Sequence, residues 1–142
     1  MSVPSNVPVP VLAATLSTWS QAALVAVGGT TGCLLRWRAG VWLNGLPLPI
    51  ALGTLLVNVV GGLVIGFLMV ALTRMSSPDA WRLLLVTGVL GGMTTFSAFT
   101  AESLGLLLKG QFAIAALHTA VHVFGALAAA ALGWQIGRWV LA

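Results

Sequence analysis

The chain has 142 residues, 59% of them hydrophobic and only 6% charged, with a net charge of +4. A soluble domain of this size carries charge on about a quarter of its residues, so a water-soluble enzyme or binding domain is excluded. The few cations lie near the ends of apolar runs, where lipid headgroups suit them better than a nucleic-acid polyanion, and no nucleic-acid partner is expected.

Runs free of charge over 39–73, 83–101 and 111–137 are each long enough to cross a hydrocarbon core, which needs about 20 apolar residues. The stretch 19–35 supplies a fourth. The expectation is an all-α membrane protein with four transmembrane helices, near 19–41, 50–73, 82–108 and 112–139. The opening MSVPSNVPVP is proline-rich and has no basic residue. It reads as a flexible tail over 1–18 rather than a signal peptide, which begins with positive charge.

The first span holds Arg36 and a lone Cys33, which implies packing rather than a disulfide framework. The second contains GTLLVNVVGG (53–62), with Thr54 and Asn58 inside it. The Asn58 amide has two N–H donors, suited either to an anion or to a hydrogen bond between helices.

The third span carries the most informative segment, LGGMTTFSAF (90–99). Paired glycines and paired β-branched threonines are poor helix formers, so this helix is expected to break near its middle. Carbonyls freed at that depth are costly unless they face protein, water or an ion. Phe96 and Phe99, three apart, share a helix face, and their positive ring edges can solvate a small anion without trapping it. Ser97 lies between them, and Glu102 is the only carboxylate within a span. A buried glutamate is normally paired, hydrogen-bonded or protonated.

In the fourth span His118 and His122 are four apart on one helix face. Two imidazoles without a cysteine or a neighbouring acid make an incomplete metal site. Hydrogen bonding within the bundle is the plainer reading, and lining an ionic path with a response to pH is a third. Gly62–Gly66 and Gly133–Gly137 have the small-xxx-small spacing that lets helices approach closely. There is no zinc-protease spacing, serine–histidine–acid set or phosphate loop, so the chain is not expected to be an enzyme.

Four spans place Arg74, Arg82 and Arg138 on one side of the membrane, and Arg36, Arg38 and Lys109 on the other. Orientation follows an excess of Lys and Arg in cytoplasmic loops, and here the sides balance. Insertion both ways round, and an antiparallel (dual-topology) homodimer, follow from that balance.

These segments together resemble the CrcB/Fluc family of small bacterial fluoride channels. The likeness rests on GGTTGCLLRW (28–37), GTLLVNVVGG (53–62), TGVLGGMTTFSAFTAE (87–102) and the glycine-rich fourth helix ending at Gly133. It covers the chain from about Gly28 to Gly137. The resemblance implies a dual-topology dimer in the cell inner membrane, embedded in lipid, whose two narrow pores pass fluoride passively and exclude chloride. It implies a central structural Na⁺ held by backbone carbonyls that fall here on Gly91 and Thr94. The paired phenylalanines map to Phe96 and Phe99 and the pore asparagine to Asn58. Thr54 maps to a polar position beside the path, Glu102 to the family glutamate, and Arg36 to an arginine that draws anions to a vestibule. Where the family usually has a tyrosine followed by serines spaced by four, this chain has His118, His122 and Ala126, and Ala98 replaces a common threonine. The competing reading is a dual-topology, proton-coupled exporter of drugs or cations. Such a carrier wants an acid in its first helix, and none is there.

Overall fold

The computed structural model describes residues 16–142, all of whose regular structure is helical; the part of the expected tail over residues 1–15 lies outside them. Helix α1 (Thr18–Leu43) starts at an extended Ser17, whose hydroxyl accepts the Ser20 amide at 3.2 Å, as a helix N-cap does. It stops before NGLPLP, where Pro47 and Pro49 cannot continue a helix. Asn44, just past that end, reaches across the loop and accepts the Gly53 amide at 2.8 Å. It serves an otherwise orphaned donor of α2 (Leu52–Ala71), whose own N-cap, Ala51, has no side-chain acceptor.

Helix α2 tightens into a 3₁₀ turn over Leu72–Arg74, and Pro78 opens the next helix at its first turn. Helix α3 (78–93) widens to π-type i→i+5 bonding across Arg82–Leu90, a rare geometry over nine residues. Helix α4 (Phe96–Leu108) completes the third span, and α5 (Phe112–Val140) follows. The turn between α4 and α5 needs Gly110 at φ 69°. There Gln111 donates to the Leu106 carbonyl and Gly110 to that of Leu107, closing α4 with a Schellman motif.

Three segments, Leu52–Arg74, Pro78–Leu108 and Phe112–Val140, are long and apolar enough to cross a bilayer. At 26 residues α1 is of similar length, but Arg36, Arg38 and a hydroxyl-bearing middle make it less apolar. The chain is a multi-pass membrane protein, and its surface shows it. Trp19, Leu108, Phe124 and Trp139 are all more than two-thirds exposed, favourable against acyl chains and costly in water. All six tryptophans lie toward helix ends, two of them under guanidinium groups (Arg38 on Trp42, Arg138 on Trp134), as interfacial anchors do.

Inside, the helices meet backbone to backbone. Gly66 of α2 lies against the Ala130 carbonyl of α5, and Gly133 of α5 against the Leu63 carbonyl of α2; a methyl on either would collide with main chain. The small-xxx-small pairs read from the sequence are thus used within the chain, packing α2 on α5. Gly28 and Gly88 perform the same service between α1 and α3. A small core of Val57, Leu68, Leu72, Leu90 and Met93 joins α2 to α3. This frame fixes where α3 ends and α4 begins.

Candidate functional site

The break falls on two residues. Thr94 (φ −79°, ψ 154°) and Thr95 (φ −151°, ψ 120°) are extended, whereas Gly91–Met93 remain helical. The motif LGGMTTFSAF is thus interrupted at its β-branched pair, for which extended backbone is comfortable. The glycines serve packing instead: Gly92 lies against the Gly29 carbonyl of α1.

Asn58 holds the break open. Its Nδ2 donates to the Thr95 carbonyl at 3.1 Å, and its Oδ1 accepts the Thr95 amide at 2.9 Å. Both polar groups of one unwound residue are satisfied by one carboxamide. Thr95 also caps α4, its hydroxyl accepting the Ala98 amide at 3.2 Å and meeting the Ser97 hydroxyl at 3.1 Å. In an unbroken helix the Thr95 amide would serve the Gly91 carbonyl, and the Ala98 amide that of Thr94. Both amides are engaged elsewhere, so those two carbonyls are released from their helical donors.

Beside the break lies a cleft of about 330 Å³, lined by Asn58, Thr94, Thr95, Phe96, Phe99, His122, Val123 and Ala126. Phe96 is 79% exposed and Phe99 only 9%, with ring centroids 5.4 Å apart at 45°. Of the two roles open to Asn58, the interhelical bond is made, and one N–H of its amide is left over at the cleft wall.

Behind Phe99 runs a polar chain. Thr54 donates to Glu102 Oε1 at 2.6 Å, and Glu102 Oε2 lies 3.2 Å from His118 Nε2. Ser103 Oγ lies 3.0 Å from His118 Nδ1. His122 Nδ1 is 3.0 Å from the His118 carbonyl; since a carbonyl only accepts, this nitrogen carries the proton. His122 Nε2 is buried and has no partner among the described residues. Phe99 stacks on His118 at 5.4 Å and 7°, and the two imidazole centroids are 4.2 Å apart. His118 is wholly buried and His122 is 4% exposed.

The structure thus assembles Thr54, Asn58, Phe96, Phe99, Glu102, His118 and His122 around one cleft and its back wall, with Ser97 on the first turn of α4. Thr94 lines the cleft, and Gly91 is exposed three residues before it. Arg36 stands apart on α1, half-buried, its Nη2 3.7 Å from Cys33 Sγ. Cys33 is exposed rather than packed. The absence of an acid near the histidines does not survive folding, because α4 brings Glu102 to His118. Two participants were not assigned to the site from the sequence, although Thr95 belongs to the threonine pair that marks the break. Thr95 could have been, as a hydroxyl residue in N-cap position; Ser103 carries no such signal.

Residues 23–134 match the family model described as "CrcB-like protein, Camphor Resistance (CrcB)". Curated relatives include proteins named "Fluoride-specific ion channel FluC". That of Bordetella petrii is 48% identical over 110 residues, covering 77% of this chain and 84% of its own. That of Pseudomonas aeruginosa is 43% identical over 125 residues, or 87% and 98%. That of Albidiferax ferrireducens is 40% identical over 120 residues, or 83% and 91%.

Proposed function

This chain belongs to the CrcB family, and we propose that it is a fluoride channel whose pore runs along the cleft beside the broken third span, passing the anion passively out of the cytoplasm. It is not an enzyme. The observation that carries the placement is the cleft itself, where an amide N–H of Asn58 and the rings of Phe96 and Phe99 face one space. Fluoride is small and strongly hydrated, so a selective path must replace its water with donors. Ring edges and a neutral amide are weak donors, which lets the ion leave as well as bind. A path narrow enough to require that exchange would reject the larger chloride.

The driving force needs no coupling. Fluoride crosses membranes as neutral HF and dissociates in the less acidic cytoplasm. An inside-negative potential expels the anion by about 2.3 kcal/mol per 100 mV, and the working location is the cell inner membrane.

We further propose that α1 crosses the bilayer as the fourth span, and that two copies associate antiparallel. The balance of Arg74, Arg82 and Arg138 against Arg36, Arg38 and Lys109 supports this. So does Phe96, which leaves 79% of its surface uncovered in a single chain. A structural Na⁺ fits the break: the carbonyls of Gly91 and Thr94 have lost their helical donors, and hard oxygens suit a hard cation. The Gly91 and Thr94 carbonyls would hold such an ion, whose positive charge would offset their dipoles. Arg36, away from the cleft, acts at longer range by drawing anions toward the protein.

Fluoride efflux from proteoliposomes with K⁺ and valinomycin, run beside chloride efflux and a proton-driven drug assay, tests the reading. Fluoride flux alone is expected. Drug transport without fluoride flux would return the multidrug exporter.

A further inference from the structure

We propose that Glu102, His118 and His122 form a binding site for a divalent transition-metal cation of the Zn²⁺ and Co²⁺ type. One ligand atom from each of the three lies within 4.8 Å of the other two. Two imidazoles and a carboxylate are the donor set of open, three-ligand zinc sites, and the imidazoles select against Mg²⁺ and Ca²⁺.

Clustering alone would not carry this; the hydrogen bonds do. His122 donates its Nδ1 proton to the His118 carbonyl at 3.0 Å, which leaves Nε2 with a bare lone pair. That atom is buried and unpartnered among the described residues, in a residue only 4% exposed. A ligating histidine ordinarily has this arrangement, one nitrogen tied to a backbone carbonyl and the other turned to the metal. The other two ligands have outer partners as well. Ser103 Oγ is 3.0 Å from His118 Nδ1, and Thr54 holds Glu102 Oε1 at 2.6 Å.

His118 Nε2 and Glu102 Oε2 already stand 3.2 Å apart, a separation two ligands of one ion can have. A small swing of the His122 ring brings in the third. On binding, the cation replaces the hydrogen bond between His118 Nε2 and Glu102; the single proton of the neutral imidazole moves from Nε2 to Nδ1, where Ser103 Oγ turns to accept it, so no proton is left over. Two neutral imidazoles and one carboxylate leave a net charge of +1 on the bound ion and a fourth position open. In a route for anions such a centre holds fluoride instead of passing it, so the metal blocks. This last step rests on the route proposed above; the binding does not.

Tag-free, metal-free protein in detergent is titrated with Co²⁺ and read by visible absorption, then back-titrated with Zn²⁺. The expected result is one tetrahedral Co²⁺ per chain, displaced by Zn²⁺. His122→Asn should weaken it at least about 100-fold, and Ser103→Ala about 10-fold through the lost outer partner. Absence of a saturable band in the wild-type protein overturns the site. So does an undiminished band in both His118→Asn and His122→Asn. In wild-type proteoliposomes Zn²⁺ should cut fluoride efflux at least tenfold, reversibly with EDTA. Stoichiometric Co²⁺ binding with efflux untouched by Zn²⁺ upholds the site and overturns the routing of fluoride past His122.

Discussion

The carboxamide of Asn58 satisfies both backbone polar groups of Thr95, a residue 37 positions away in the chain, through bonds of 3.1 and 2.9 Å. One side chain therefore does for the break what a turn of helix would have done, and leaves the Gly91 carbonyl without its helical donor; the Thr95 hydroxyl, capping the Ala98 amide, does the same for the Thr94 carbonyl.

Replacing Asn58 separates its two duties. Asn58→Ala strands the amide and carbonyl of Thr95 and should cost about 1–2 kcal/mol, read as a lower melting temperature in detergent. Asn58→Asp can still accept the Thr95 amide, but it puts negative charge on an anion route. It should abolish fluoride flux while melting closer to the wild type than the alanine variant. Equal flux in Asn58→Asp and wild type would remove Asn58 from the pore.

Phe96→Ile and Phe99→Ile should each reduce fluoride efflux more than tenfold in liposomes while leaving the proposed dimer intact. Their stabilities should differ. Phe96 is exposed in the single chain, whereas Phe99 is buried and stacked on His118, worth about 0.5–1.5 kcal/mol beyond its buried area. Only Phe99→Ile should therefore lower the melting temperature of the separated chain. Unchanged flux in both variants would eliminate the aromatic part of the mechanism.

The α2–α5 seam can be probed with a single methyl. Gly133→Ala drives Cβ into the Leu63 carbonyl, which belongs to a helix backbone and cannot step aside. Overpacking of this kind costs about 1–3 kcal/mol. Gly105→Ala in α4 meets nothing within 4 Å and should be neutral or stabilising by up to about 1 kcal/mol, since alanine is the better helix former. Thermal melts of the two variants give the comparison.

Sodium should stabilise the assembly. Exchanging K⁺ for Na⁺ at constant ionic strength is expected to raise the melting temperature, in proportion to the logarithm of Na⁺ concentration above its Kd. Melting curves that overlay in the two salts would leave the Gly91 and Thr94 carbonyls without a cation.

Much of the scaffold is local and could be read directly. Proline and asparagine after Leu43, Pro78 at a first turn and Gly110 at a C-terminus punctuate the helices for reasons confined to a few residues. The threonine pair announced the break in the same way. The π-type widening over Arg82–Leu90 had no counterpart in the sequence reading; it coincides with the close approach of Gly88 to Gly28 on α1.

What the amino-acid order settled by itself was the solvent, the helices and the family. Hydropathy and backbone preference act over spans no longer than one helix, and GTLLVN followed by GGMTTFSAF is distinctive without any coordinates. What folding alone decided was which polar groups meet. Glu102 and His118 are 16 residues apart, Thr54 and Glu102 48, and nothing in their spacing relates them. They pair because the glycine-lined seam of α2 and α5, and the break that redirects α4, set three helices side by side in a medium that offers a buried polar group no water. There each must find a partner, and His122 Nε2, which has none among the described residues, is where the structure reaches beyond the sequence.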